Sequence, residues 1–134
     1  MAIHRHPVRV YYEDTDAGGI VYHASFIRFA ERARTEMLRE MGYKNSDLHK
    51  RDGLRFVVRH IDASYETPCF LDDMLELHTH VLEIRNSSFV LRQTVLRDQN
   101  HVCVLNVTLV TINENGKAVR LPQNVRQDFK EYLA

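Results

Sequence analysis

The sequence has few of the residues that cross-link or interrupt a chain. It contains two cysteines, three prolines and five glycines among 134 residues. Cys69 and Cys103 form neither a CxxC pair nor a disulfide framework, so we expect two buried, reduced thiols, as is typical of a reducing compartment. No linker, internal repeat or low-complexity tract divides the chain, which predicts a single domain over residues 1–134.

An excess of charge of one sign is also missing. Lys plus Arg number 18 and Asp plus Glu number 18, so the formal net charge is zero. Proteins that bind nucleic acids usually carry a basic excess, and its absence disfavours a nucleic-acid partner.

Long apolar runs are lacking as well. The first ten residues, MAIHRHPVRV, have no apolar core of the kind found in signal peptides. The longest apolar stretch, VCVLNVTLVTI, is interrupted by Asn106, Thr108 and Thr111 and is too short to span a bilayer. We therefore expect a soluble cytoplasmic protein with no transmembrane segment.

One long amphipathic helix is predicted, beginning near residue 22 or 25 and ending near residue 41. The stretch contains no Gly or Pro, and Gly42 provides a C-terminal stop. Its apolar residues recur at three- and four-residue steps, which is the pattern of a helix with one buried face. They are Phe26, Phe29, Ala30, Ala33, Met37 and Met41.

The remainder of the chain is predicted to consist mainly of strands. In the third strand, for example, Leu75, Leu77 and Val81 share one face. The strand at 102–113 is apolar on both faces, so we place it centrally in a sheet. The predicted strands cover 7–14, 55–66, 73–85, 87–97, 102–113 and 117–120, with short helices at 46–50 and from about residue 124.

This order of elements predicts an α+β fold. No alternation of strands and helices appears, so the sheet is expected to be antiparallel and to wrap around the one long helix. Such a sheet still has two edges, and an unpaired edge favours pairing with a second copy of the chain. A homodimer is the structural expectation.

The most informative segment is EDTDAGGIVYH, which joins the first strand to the long helix. Unpaired N–H groups and the helix dipole make a helix start suitable for an anion or a developing oxyanion. Gly18 and Gly19 let a ligand approach the backbone. A carboxylate from Glu13, Asp14 or Asp16 is then available to activate water or to attack as a nucleophile. These parts suit acyl transfer to water, with no metal and no cofactor.

Other interpretations of the segment stay open at this point. An Asp before a helix is commonly a cap or an Asx-turn residue. A cation site would need the alternating oxygen ligands of a calcium loop, which the segment lacks. The histidine pairs 4/6 and 78/80 have no further ligands at suitable spacing, so we expect them to be solvated. No G-x-S-x-G motif of a serine hydrolase is present.

Two long segments resemble a known family. VRVYYEDTDAGGIVYHASFIRFAERARTEML and FVVRHIDASYETPCFLDDMLEL are similar to segments of the Tol–Pal-associated (YbgC-like) acyl-CoA thioesterases, which are related to the 4-hydroxybenzoyl-CoA thioesterases. The resemblance implies a hotdog fold, in which one antiparallel sheet wraps a long central helix. It also implies homodimers that pair again into homotetramers, with active sites between subunits.

The resemblance further implies roles for individual residues. The family's catalytic aspartate falls on Asp16, and the backbone N–H that polarises the thioester carbonyl falls at His23. Glu31 matches a helix carboxylate of relatives and is a secondary catalytic candidate that alternatively pairs with Arg34. The backbone or side chains that line the substrate pocket are those of Gly18, Gly19 and Tyr22.

The resemblance implies hydrolysis of short- to medium-chain acyl-CoA, and two alternatives are kept. The first is an aryl-CoA thioesterase. The second is a partner-binding module for acyl carrier protein or for a phospholipid-synthesis or envelope complex, which favours a position beside the inner membrane. An acidic carrier protein would need a basic patch, and the candidates are Arg28, Arg32, Arg55 and Arg59. The His motif of related dehydratases is missing.

Overall fold

The computed structural model describes residues 2–134, apart from the side chains of residues 45, 47 and 51. In this part of the chain one five-stranded antiparallel sheet has the order β1-β3-β4-β5-β2. The strands are β1 (His4–Arg9), β2 (Arg55–Tyr65), β3 (Met74–Ile84), β4 (Ser88–Arg97) and β5 (Asn100–Ile112); the helices are α1 (His23–Glu40), α2 (Asn45–Asp52) and α3 (Gln123–Lys130).

Helix α1 is the predicted long helix, and its apolar stripe is buried against the sheet. Phe29, Ala30 and Ala33 have no exposed surface, and the two alanines let the sheet approach the helix closely. The helix ends at Glu40, close to the predicted end, and Gly42 follows it with φ +95°. The N–H of Tyr43 donates to the Leu38 carbonyl at 2.8 Å, which closes the last turn.

The strand pattern agrees with the alternation in the sequence. Leu75, Leu77 and Val81 of β3 are buried on the face that packs on α1. Strand β5 is internal as predicted, because it pairs with β4 on one side and β2 on the other. The middle of the sheet is β4, and the edges are β1 and β2.

Two predicted strands differ in the structure. The first ends at Arg9 and is followed by a 3₁₀ turn at Tyr12–Asp14, so the predicted range 7–14 is wrong. The chain turns there because the Asp14 carboxylate accepts the Tyr11 N–H at 2.9 Å. The predicted strand at 117–120 is reduced to one bridge between Ile112 and Ala118.

The histidines are less exposed than predicted. His4 lies in β1 and is 7% exposed, with Nε2 at 2.9 Å from a Glu40 carboxylate oxygen. His78 and His80 are half-buried on β3, and His78 Nε2 contacts Glu76 Oε1 at 2.5 Å. The sequence could not reveal this, because it depends on which elements pack on each strand.

The cysteines behave as predicted: Cys69 and Cys103 are free and buried. Burial raises the pKa of the Cys69 thiol to about 11 and the pKa of Cys103 to about 12. Both side chains are therefore neutral, protonated thiols near pH 7, and neither is activated as a nucleophile.

Within residues 2–134, none of the helices has both the length and the apolar character required to cross a membrane.

Candidate active site

The segment between the 3₁₀ turn and α1 folds into a narrow turn. The N–H of Asp16 donates to the Ile20 carbonyl at 2.8 Å, and the N–H of Gly19 donates to the Asp16 carbonyl at 3.1 Å. Gly19 has φ +80°, a left-handed conformation that glycine adopts without strain. The glycine is therefore required by the backbone of this turn.

Asp16 lies at the first corner of the turn, and its two carboxylate oxygens differ. Oδ1 accepts the N–H of Gly18 at 2.9 Å and the N–H of Ile20 at 3.2 Å. Oδ2 has no hydrogen-bond partner among the described residues, and the residue is exposed. The Asx-turn interpretation is thus correct for one oxygen, while the other is free to act on a ligand.

Neighbouring backbone segments hold this turn in place. The N–H of Val21 donates to the Cys69 carbonyl at 2.8 Å, and the N–H of Leu71 donates to the Gly19 carbonyl at 3.1 Å. Asp14 is buried, and its carbonyl accepts the Tyr22 N–H at 3.0 Å and the Ser25 hydroxyl at 2.9 Å. These contacts give Asp14 a structural role, in contrast to the exposed Asp16.

Helix α1 begins directly after the turn, at His23. Its N-cap residue, Tyr22, makes no side-chain capping bond, so the first amides are not covered from that side. The N–H groups of His23 and Ala24 have no acceptor in the described part of the chain. Two unpaired donors at the positive end of an 18-residue helix are the kind of group that can accept an anion or a developing oxyanion.

Aromatic rings surround this helix start. The rings of Tyr22 and His23 lie 4.3 Å apart, and Tyr65 packs near His23 and Phe26 at 6.2 and 5.8 Å. The Tyr65 hydroxyl donates to the His23 carbonyl at 3.2 Å. Tyr65 contacts the candidate site but was not among the residues predicted from the sequence. Its place at the end of β2 gives no local signal, since only the packing of β2 beside α1 brings it there.

The structure brings five of the six predicted site residues together and leaves one apart. Asp16, Gly18, Gly19, Tyr22 and His23 lie in the turn and the first residue of α1. Glu31 is exposed and lies eight residues further along the helix, roughly 12 Å from His23 along the axis. It lines a separate cavity of about 220 Å³.

The described residues offer no cluster suited to a metal ion. No group of three or more His, Cys, Asp or Glu side chains in residues 2–134, apart from the side chains at 45, 47 and 51, is placed to hold one. The groups that the turn presents to a ligand are one carboxylate oxygen and backbone N–H donors.

The fold and the turn point to a class of protein, and a family model supports it. The model of the thioesterase-like superfamily matches residues 10–129, which include the turn and every strand of the sheet except β1. A solved structure, the probable thioesterase from Bartonella henselae, superposes with a TM-score of 0.87 at 37% identity, covering 90% of this chain and 100% of that one.

Curated relatives narrow the class. The acyl-CoA thioester hydrolase YbgC of Escherichia coli O157:H7 is 43% identical over 131 residues, covering 95% of this chain and 96% of the relative. The acyl-CoA thioesterase YbgC of Haemophilus influenzae is 38% identical over 124 residues, covering 92% and 91%. The chain belongs to the YbgC family within the thioesterase-like superfamily.

This membership confirms two predictions. The α+β hotdog fold is confirmed by the antiparallel sheet around α1 and by the structural similarity to thioesterases. The prediction of a thioesterase is confirmed by the family.

Proposed function

We propose that the chain hydrolyses an acyl-CoA thioester to a free acid and CoA, with Asp16 as its catalytic carboxylate. The observation that supports this most directly is the combination of a free Asp16 oxygen with the unpaired amide donors that follow it at the start of α1. Both lie in one short, firmly held turn, as a site for thioester hydrolysis requires.

The thioester carbonyl is placed at the helix start. Its oxygen accepts a hydrogen bond from the His23 N–H, and the helix dipole stabilises the negative charge that develops on this oxygen. Removal of one such donor in other enzymes lowers the rate by about 10²–10³-fold. Because the donor belongs to the backbone, the identity of the His23 side chain matters less than the position of the helix start.

Asp16 supplies the second requirement of the reaction, which is a carboxylate that acts on water or on the thioester carbon. Two routes are open to it. As a general base, Asp16 takes a proton from water while the water oxygen bonds to the carbonyl carbon; the C–S bond then breaks and the CoA sulfur leaves with a proton. As a nucleophile, Asp16 forms a mixed anhydride and releases CoA, and water then cleaves the anhydride. Both routes consume one water and yield the same products.

We expect short- and medium-chain acyl-CoA to be the better substrates. The exposed apolar side chains beside the turn include Ile20, Tyr22, Tyr65 and Phe70, and we expect this limited area to favour a short acyl chain over a long one. Release of CoA thiol from acetyl-, butyryl-, benzoyl- and palmitoyl-CoA measures this. We expect kcat/KM for butyryl-CoA to exceed that for palmitoyl-CoA by about tenfold or more.

The order of activity on these four substrates separates the alternative functions. A preference for palmitoyl-CoA would overturn the assignment of chain length. A preference for benzoyl-CoA would support the aryl-CoA alternative. Hydrolysis of none of the four would count against the proposed activity and favour the partner-binding alternative. The four arginines proposed to contact an acidic carrier protein are all exposed, and none forms an ion pair among the described residues; they are Arg28, Arg32, Arg55 and Arg59.

We also infer a homodimer that pairs again into a homotetramer. Strand β2 is an unpaired edge that exposes Val57, Val58 and Tyr65, and such an edge favours pairing with a second copy. We expect light scattering to give a multiple of the 15.7 kDa chain mass. Replacing Val58 with lysine is expected to reduce the assembly, whereas a monomeric wild-type protein would contradict the inference.

A further inference from the structure

The turn that carries Asp16 is paired with the loop between β2 and β3. Ile20 of the turn and Phe70 of the loop form an antiparallel bridge. Two backbone hydrogen bonds flank this bridge, from the Val21 N–H to the Cys69 carbonyl at 2.8 Å and from the Leu71 N–H to the Gly19 carbonyl at 3.1 Å. Since the Ile20 N–H also donates to Asp16 Oδ1, a shift of the loop would move the group that orients the carboxylate.

The Asp73 carboxylate closes the bend of this loop. Its Oδ2 accepts the Phe70 N–H at 2.8 Å, and the N–H of Asp73 donates to the Phe70 carbonyl at 3.1 Å. Asp72, which lies between them, has φ +71°, a left-handed conformation that is strained for a residue with a side chain. Such a conformation persists only where its surroundings hold it, and the Asp73 side chain is part of those surroundings.

Arg97, the last residue of β4, holds the same carboxylate oxygen. Its Nη1 donates to Asp73 Oδ2 at 2.8 Å and to the Pro68 carbonyl at 3.1 Å. The side chains of Arg97 and Asp73 are 26% and 24% exposed, so their ion pair is screened less than one in open solvent. One guanidinium nitrogen thus ties both ends of the loop to the middle strand of the sheet.

We propose that Asp73, held by Arg97, is a positioning residue for thioester hydrolysis. Asp73 fixes the loop, the loop fixes the turn, and the turn aims the free Asp16 oxygen and the His23 N–H at one thioester. A displacement of about 1 Å in such groups lowers a rate by about 10²-fold. The inference rests on the proposed roles of Asp16 and His23, and it adds a charge pair that acts through the backbone.

Replacing Asp73 with alanine tests the effect on the rate, measured as release of CoA thiol from butyryl-CoA. We expect kcat and kcat/KM to fall by the same factor, about tenfold to 10²-fold, because the misaligned groups act in the transition state. The loop is expected to stay attached, since the Val10 N–H donates to the Asp73 carbonyl at 2.9 Å and the Val10 carbonyl accepts the Asp72 N–H at 3.0 Å.

Asp73→Asn is the conservative partner of this variant. It keeps an oxygen that accepts the Phe70 N–H, and we expect it to recover most of the lost rate. A wild-type kcat in Asp73→Ala would overturn the proposal. Equally low kcat in the alanine and asparagine variants would overturn it too, because the acceptor oxygen would then have no part in the effect.

A double-mutant cycle tests whether the two side chains act together. Arg97→Met removes the cation and is expected to lower kcat less than Asp73→Ala does, since the carboxylate still accepts the Phe70 N–H. The variant with both substitutions is expected to be no slower than Asp73→Ala alone, because both residues act through one oxygen. Losses that simply multiply would overturn the proposal.

Tyr43→Phe is the control for a general loss of stability. The Tyr43 hydroxyl donates to Asp128 Oδ2 at 2.6 Å, beyond the end of α1 that lies away from the turn. We expect this variant to lower the melting temperature and to keep wild-type kcat. A loss of kcat equal to that of Asp73→Ala would attribute the effect to stability and overturn the proposal.

Amide hydrogen exchange tests the positioning without catalysis. In Asp73→Ala the N–H groups of Val21 and Leu71 are expected to exchange faster, while those in the middle of α1 keep their wild-type rates. Unchanged exchange at both amides would overturn the proposal even where kcat falls. A wild-type protein that hydrolyses no acyl-CoA would contradict the proposed function instead, and the two amides would still show whether Asp73 holds the turn.

Discussion

Replacing Asp16 with asparagine is expected to lower kcat for acyl-CoA hydrolysis by about 10²–10⁴-fold. The substitution keeps the shape of the side chain and removes the charge that acts on water or on the thioester carbon. The measurement is release of CoA thiol at saturating substrate. Near-wild-type turnover by this variant would overturn the assignment of Asp16.

The fold is expected to survive this change for a specific reason. The Asp16 oxygen that organises the turn accepts the N–H groups of Gly18 and Ile20, and the amide oxygen of asparagine accepts the same two bonds. Alanine would lose both bonds and would confuse loss of chemistry with loss of the turn. Circular dichroism and the melting temperature are expected to be close to those of the wild type.

Glu13→Gln is the matched control for this variant. Glu13 is an exposed carboxylate three residues before Asp16, with no hydrogen-bond or ion-pair partner among the described residues. Its replacement removes the same charge from the same loop without touching the turn. We expect unchanged kcat and KM; a loss equal to that of Asp16→Asn would show that net charge, and not one carboxylate, controls the rate.

Replacing Gly19 with valine is expected to lower kcat/KM by about 10²-fold, because a misplaced substrate loses its alignment with the catalytic groups. A Cβ at Gly19 would meet nothing within 4 Å in the free protein, so the added side chain obstructs only what binds there. The positive φ adds backbone strain of about 1–2 kcal/mol. Unchanged kcat and KM would count against a substrate that lies on this backbone.

Gly42→Val separates strain from obstruction. Gly42 also has a positive φ, +95°, and a Cβ there likewise meets nothing within 4 Å, but it lies at the opposite end of α1. The two variants are expected to lose similar stability in urea unfolding, and only Gly19→Val is expected to lose activity. Equal loss of activity in both would attribute the effect to strain.

The sequence predicted those elements whose signal is local. The apolar periodicity of α1 and the stop at Gly42 follow from side chains within one helix, and the alternation of β3 follows from one strand. The predicted first strand extends too far along the chain, because the chain bends where the Asp14 carboxylate accepts a hydrogen bond from the Tyr11 N–H. Sequence periodicity does not show such a bond.

The sequence predicted the part of the candidate site whose residues are close together along the chain. Asp16 and His23 are seven residues apart, so one motif contains both. Tyr65 reaches His23 from the end of β2, 42 residues away. Contacts of this kind arise only when the sheet wraps the helix, so no local sequence pattern indicates them.

The burial of the two thiols has a consequence for an enzyme that releases CoA. Each turnover produces a free thiol, and CoA also occurs as disulfides. A protein cysteine exchanges with such disulfides only as an accessible thiolate. Cys69 and Cys103 are inaccessible, and the pKa values of about 11 and about 12 keep both protonated. The enzyme is thereby protected from forming mixed disulfides with the oxidised, disulfide forms of CoA.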